Sequence, residues 1–164
     1  MRHRPLLGLD RRELSSLLET GHPVDLAQLH DTEYRGVSLG LPRWIERVTW
    51  KKFMKTFAIG DEGRLTGWNV RIIQDALDAP WRPMTRHGRP ITFGRYDVDR
   101  DEAGVAMLRY RGAMRLLRDP LVALDPGDST LLLGRSIVGV GSWQIATPSY
   151  FVLEREGPLT YAPE

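Results

Sequence analysis

From Arg64 to Glu154 apolar and polar residues alternate in short runs broken by glycine, proline and acidic turns, which is the period of half-buried strands. Ahead of this stretch the spacing is helical. Asp10 and Glu13 form a capping-box pair, Leu14, Leu17 and Leu18 follow on one helical face, and Gly21 is placed to stop the helix. A second short helix is predicted from Pro23, turning Leu26 and Leu29 inward. Helices this short do not stand alone in water, so both must pack on the sheet.

The clearest strand pair is Leu121–Leu124 and Ser129–Arg135 around Asp125-Pro126-Gly127-Asp128, where proline presets φ and glycine supplies a positive one. Tyr34–Leu39 reads as a strand closed by Gly40 and Pro42. The stretch from Trp44 to Ile59 fits helix or strand; as a strand, Val48, Trp50, Lys52 and Met54 share one face, and Phe53, Phe57 and Ile59 the other. Leu65 to Ile73 puts Trp68, Val70 and Ile72 on one side. Ile91–Val98 and Val105–Arg111 flank an acidic turn, Ala113–Arg118 reads as a helical turn ended by Pro120, and Leu131–Val138 with a strand ending at Arg155 makes the last hairpin. Eight or so short strands suit a sandwich or a barrel, and closure removes exposed edges.

The 164 residues fit one domain: residues 1–9 a tail, 10–31 helical, 32–156 a barrel and 157–164 a tail. The expected fold class is α+β, mainly β: an antiparallel lipocalin-like barrel with two short N-terminal helices. No apolar run approaches a membrane-spanning length, the basic N-terminus has too short an apolar core for a signal peptide, and the absence of cysteine excludes disulfides and thiolate chemistry. A cytoplasmic protein is therefore expected. Net charge is +2 and arginine far outnumbers lysine. The densest basic segment, Arg43 to Lys55, interleaves Trp44, Trp50, Phe53 and Phe57; it reads first as a strand or helix with one wet and one core face, and second as a stacking platform for a macromolecular partner.

Tyr34-x-Gly36-x-x-Leu39-Gly40 after a short helix, Trp50-Lys-Lys-Phe53, Leu131-Leu-Leu-Gly-Arg135 and Tyr150-Phe-Val-Leu-Glu154 together resemble uncharacterised bacterial domains with a lipocalin-like, calycin-type barrel. The resemblance spans roughly residues 30 to 155 and implies binding of a small, largely apolar molecule, or enzymatic use of the same cavity. It departs from lipocalins in one respect. Their Gly-x-Trp lies in the first strand, whereas here Gly141-Ser-Trp143 lies near the last.

No nucleophile elbow, P-loop or dinucleotide fingerprint is present, and Gly139-Val-Gly141 sits between strands. His3, His22, His30 and His87 share no helical metal spacing; His30-Asp31-x-Glu33 is read as a polar element end, so neither metal nor cofactor is expected. Arg95, Arg109 and Arg111 are read as pointing to water. Arg135 shares a face with Leu131 and Leu133 and is the strongest inward candidate; Lys52 is placed with Trp50. The aromatic residues Tyr34, Trp50, Trp68, Tyr96, Tyr110 and Phe151 are candidate cavity lining.

These residues lead to a cavity that binds a small hydrophobic or amphipathic molecule able to carry a carboxylate. Trp50, Lys52, Trp68, Asn69, Tyr96, Arg135 and Phe151 are the expected ligand-binding residues. The alternative is a cofactor-free isomerase or cyclase acting on a polyketide-like or terpenoid substrate, with Tyr34 and Tyr110 moving the proton. A weaker alternative is partner binding through the basic-aromatic segment. The expected partner is thus a small molecule, with no membrane span and no nucleic acid; a homodimer is compatible with the chain.

Overall fold

The computed structural model describes residues 2–40, 51–140 and 143–161. Eight strands close into an antiparallel barrel in which each strand pairs with its neighbour in the chain. They are β1 (Thr32–Leu39), β2 (Lys52–Ile59), β3 (Leu65–Arg71), β6 (Thr92–Arg100), β7 (Ala106–Tyr110), β8 (Leu117–Asp125), β9 (Asp128–Val140) and β10 (Trp143–Pro158). β10 returns to β1 with Val37 opposite Val152, and β1 pairs with β2, so no edge of the main sheet is left open. Between β3 and β6 lies a separate hairpin of β4 (Thr85–Arg86) and β5 (Arg89–Pro90).

Local chemistry explains several of these elements. Asp10 accepts from the N–H groups of Arg12 and Glu13, and Glu13 accepts in return from the Asp10 N–H, which completes the cap of α1 (Arg11–Thr20). Loss of such a cap costs about 1 kcal/mol. Pro126 and Gly127 form the two-residue link between β8 and β9, with Gly127 at φ +72°. The second N-terminal helix is shorter than its spacing predicts. It is a 3-10 turn, Leu26–Leu29, capped by Asp25 rather than opened by Pro23. Ala113–Arg118 is likewise not helical throughout: a 3-10 turn covers Gly112–Met114, β8 begins at Leu117, and Pro120 lies within that strand.

The barrel carries apolar residues on both faces, and the two faces have different partners. Outside, Leu14 of α1 joins Val37, Leu39, Val122, Leu131, Leu133, Tyr150 and Val152 from β1, β8, β9 and β10. A second outer patch, Met54, Trp68, Val70 and Ile72, is covered by Trp81 and by Leu159 and Tyr161 of the C-terminal segment. Residues 2–9, expected as a tail, are tied to the barrel. Leu6 is buried in the outer cluster, His3 meets Glu154 at 2.5 Å, and Arg2 reaches Asp125, Asp128 and Thr130. Residues 159–161 are similarly docked: the Leu159 N–H donates to Asp31 and Thr160 donates to Glu33.

Inside, one half of the barrel is filled. Val24 and Leu29, from the segment before β1, pack with Tyr34, Phe57, Tyr96, Leu108, Leu121 and Leu153. Three inward glycines make room for the rings. A Cβ on Gly36 would lie 2.3 Å from Phe53, on Gly67 2.4 Å from Tyr96, and on Gly134 2.3 Å from Phe151. Each aromatic ring therefore lies against bare backbone of a neighbouring strand. The other half of the interior is hollow.

Candidate cavity and its buried polar cluster

The hollow half forms an open pocket of about 450 Å³, within the usual range for a small-molecule site. Its wall is mainly Phe53, Phe93, Met114, Leu117 and Phe151, with the hydroxyls of Ser38, Ser136 and Ser149 interspersed. At its floor four polar side chains meet. Lys55 comes from β2, and strand register sets Asn69 of β3 directly opposite. Tyr110 of β7 stands opposite Tyr96, and Asp119 of β8 opposite Leu108, so the next strands bring both polar groups inward at neighbouring heights.

The Lys55 Nζ donates to Asn69 Oδ1 at 3.0 Å and to the Tyr110 hydroxyl oxygen at 2.5 Å. That hydroxyl in turn donates to Asp119 Oδ2 at 2.8 Å, and Lys55 and Asp119 form an ion pair at 3.5 Å. The ammonium also lies 5.0–5.6 Å from the ring centres of Phe53, Tyr96, Tyr110 and Phe151. Asn69 is itself held by donation from Nδ2 to the carbonyls of Phe93 and Gly94. Those carbonyls belong to a bulge in β6, where Gly94 has φ +57° and the register against β3 slips. The slip turns both Phe93 and Tyr96 inward, although they are three residues apart.

Burial dominates the electrostatics. Removal from water lowers the Lys55 pKa below the ordinary lysine value, against the opposing pull of Asp119. The Tyr110 and Tyr96 hydroxyls are pushed well above the usual phenol value, first by burial and then by the Asp119 charge. Asp119 is 2% exposed, yet its Oδ1 has no hydrogen-bond partner among the described residues. A buried carboxylate oxygen without a donor is costly, and Asp119 is one of the residues that line the cavity.

The expected site residues divide between three places. Asn69, Tyr110 and Phe151 line the cavity. Tyr96 lies beneath its floor, donating to the Thr56 carbonyl at 2.8 Å. Tyr34 is inside the barrel but in the filled half, where its hydroxyl donates to the Ser129 carbonyl at 2.7 Å; burial raises its pKa, and it does not reach the cavity. Trp50 lies outside the described residues.

The remaining three are corrected to the outer surface. Lys52 has the parity of Met54, so it points away from the lumen, 2.5 Å from Asp75 and over the Trp81 ring. Trp68 belongs to the same outer patch and donates to the Tyr161 carbonyl. Arg135 does share a face with Leu131 and Leu133, but that face is the one covered by α1; its Nε donates to the Thr147 carbonyl and its guanidinium stacks on Tyr150. Alternation establishes which residues share a face. It does not say which face is the lumen when both are apolar.

Lys55, Asp119 and Phe53 complete the site; none was among the expected ligand-binding residues, although the sequence offers Asp119, with Asp97 and Glu154, as a carboxylate partner for a charge pointing into the barrel. Parity would have placed Lys55 with Phe53 and Phe57. Asp119 shares its face with Leu117, Leu121 and Ala123, a pattern hidden by reading Ala113–Arg118 as helix. Because Phe53, Lys55 and Phe57 point into the barrel, the basic-aromatic segment does not present these residues as a surface platform.

Arg109 and Arg111 sit outside, bonded across to Asp99 and Asp97. No cluster of three or more His, Asp or Glu among the described residues is arranged to hold a metal ion, and no helix there is long and apolar enough to cross a membrane. Compared with family models, curated proteins and solved structures, the chain matches none.

Proposed function

We propose that this protein binds a small amphipathic molecule in the barrel, apolar body against Phe53, Phe93, Met114 and Phe151, polar end toward Lys55, Asn69, Tyr110 and Asp119. The observation that carries this reading is the hollow half of the barrel, whose mostly apolar surface is interrupted by Lys55, Asn69, Tyr110 and Asp119, the last a buried carboxylate whose Oδ1 has no donor among the described residues. Lys55 and Asp119 offset each other's charge, and the single Tyr110 O–H is committed to Asp119, so the floor suits a neutral head group that accepts from Lys55 and donates to Asp119. A hydroxyl meets both needs, and a carbonyl meets the first. Of the three anchors considered from the sequence for a carboxylate head group, Lys52 and Arg135 face outward and only the uncharged Asn69 lines the cavity.

Native mass spectrometry of protein purified from cells, followed by thermal denaturation with alcohols, ketones and fatty acids of matched chain length, tests this. Retention of a stoichiometric molecule, or stabilisation ordered alcohol or ketone over acid, is the expected result. An empty protein stabilised by none of them refutes the cavity reading. Ser136→Phe supplies the control. Its side chain lines the cavity, so a ring there should abolish binding while the barrel still folds.

A cofactor-free isomerase or cyclase is the second reading, favoured by the direct contact of Lys55, Tyr110 and Asp119. In that case Tyr110, and not Tyr34, is the proton-carrying tyrosine.

A further inference from the structure

The chain contains three lysines, Lys51, Lys52 and Lys55, against twenty arginines. A protein that meets nearly every need for positive charge with arginine therefore places one of its few lysines inside the barrel. The two side chains differ chemically in one decisive respect: a buried lysine can give up its proton and become a nucleophilic amine, whereas arginine cannot. The surroundings of Lys55 also provide a route for that proton. Its N–H points at the Tyr110 oxygen and the Tyr110 O–H points at Asp119 Oδ2, so a shift along the two hydrogen bonds leaves a neutral amine and a protonated Asp119.

We propose that Lys55 is a nucleophile that condenses with the carbonyl group of an apolar aldehyde or ketone in the cavity, forming a protonated imine. This deepens the cavity reading and rests on it. The Nζ lone pair forms a bond to the carbonyl carbon as the C=O π pair moves to oxygen. Proton transfer from nitrogen to that oxygen gives a neutral carbinolamine. Asp119 then protonates the hydroxyl, the C–O bond breaks, and water leaves as the nitrogen lone pair forms C=N. The ammonium begins with three hydrogens; two leave in the water and one stays on the iminium, so the step is a condensation without oxidation or reduction. Asp119, once more a carboxylate, stands beside the iminium as its counter-ion. Asn69 accepts from Nζ and holds the lysine in place. The Phe53 and Phe151 rings, with centres 5.6 and 5.2 Å from Nζ, give the imine apolar neighbours.

Desolvation of Lys55 favours the neutral amine. The groups facing it from the other strands are Asn69, Tyr96, Tyr110, Asp119 and Phe151; Asp119 is the only carboxylate among them. Adduct formation at Lys55 should therefore persist toward neutral pH, where an ordinary solvent-exposed lysine amine is almost wholly protonated.

The test incubates the full-length protein with octanal or cinnamaldehyde and sodium cyanoborohydride at pH 7, followed by intact mass and peptide mapping. Binding of octanol and cinnamyl alcohol, which cannot condense, is measured in parallel by thermal shift. The expected result is one reduced adduct per chain, mapped to Lys55 and suppressed by the matching alcohol. Tyr110→Phe should slow its formation at least tenfold. If the alcohols bind and no adduct forms at Lys55, the nucleophile proposal falls and the cavity reading stands. If neither alcohol binds and no adduct forms at Lys55, both fall. Adducts confined to Lys51, Lys52 or the N-terminus overturn the proposal, and because that assignment is made on the unaltered protein it does not depend on any variant folding.

Discussion

Replacing Asp119 with asparagine isolates the electrostatics of the cavity floor while keeping nearly the same shape. In the native protein Lys55 is 2% exposed and its one ion-pair partner among the described residues is Asp119. Removing one member of a buried pair typically costs about 3–5 kcal/mol, because the other charge is left without compensation. The lysine has an escape, since it can enter the fold unprotonated. From a reference value near 10.4, that release costs about 5 kcal/mol at pH 7, and the cost falls by about 1.4 kcal/mol per pH unit. The expected loss is therefore about 3–5 kcal/mol at neutral pH. For a chain of 164 residues this is a fall of about 6–20 °C in Tm.

The pH dependence carries the sharper information. In Asp119→Asn the Lys55 pKa is depressed further in the folded state, so between the folded and unfolded values the unfolded chain binds more protons. Stability must then rise with pH through that window and level off as the unfolded lysine titrates near 10.4. Urea denaturation from pH 6 to 9 measures it. The variant should recover stability steeply over this range, with a larger slope than the native protein. Lys55→Met combined with Asp119→Leu removes both charges and should be more stable than Asp119→Asn at pH 7. A cost below about 1 kcal/mol with no added pH slope would show that water reaches Lys55 freely and that the floor is not buried.

Gly67→Ala should destabilise the barrel by about 1–3 kcal/mol in chemical denaturation, because the new Cβ would sit 2.1 Å from the Thr56 carbonyl oxygen and 2.4 Å from the Tyr96 ring. Arg135→Ala, on the outer face, should change the affinity of any cavity ligand by less than about twofold in the same thermal titration in which Ser136→Phe abolishes it. Glu154 is partly buried, which would raise its pKa, but hydrogen bonds from the Arg2 N–H and from His3 hold it below the ordinary carboxylate value. Its contribution is therefore present above that value and lost as pH falls through it, so Glu154→Gln should flatten the acid limb of the stability curve measured by denaturation between pH 3 and 6.

The N-terminal cap and the Pro126-Gly127 hairpin follow from local rules and were legible in the chain, as was a barrel-like class of about eight strands; the exact strand count and the closure, which rests on the long-range pairing of β1 with β10, were not. Two physical circumstances concealed the site. First, the outer face of β1, β8, β9 and β10 is as apolar as the lumen because the N-terminal segment covers it. Arg135, correctly grouped with Leu131 and Leu133, therefore gave no indication of which way the group pointed. Second, a charge within a strand is usually a solvated charge, so Lys55 read as part of a basic surface segment. Only the register that sets it opposite Asn69, and within reach of Tyr110 and Asp119, reveals a compensated interior group. The β6 bulge adds a third departure. It places Phe93 and Tyr96 in the lumen together, which strict alternation forbids.

The division of the barrel into a filled and a hollow half argues that the cluster was not placed for stability. A buried ion pair of this kind is often no better than well-packed hydrophobic residues of the same volume. The filled half shows that this sequence builds such packing readily, with Tyr34, Phe57, Leu108, Leu121 and Leu153 closing around one another. Across the hollow half the same strands supply Ser38, Lys55, Asn69, Asp119, Ser136 and Ser149 instead. Each could be apolar by the alternation that governs its neighbours. The rings that could have filled the space, Phe53 and Phe151, are laid back against Gly36 and Gly134. A cavity with glycine-backed rings and a buried carboxylate among its lining residues forgoes packing that the chain could have had. The ligand proposed above would supply the compensating interaction.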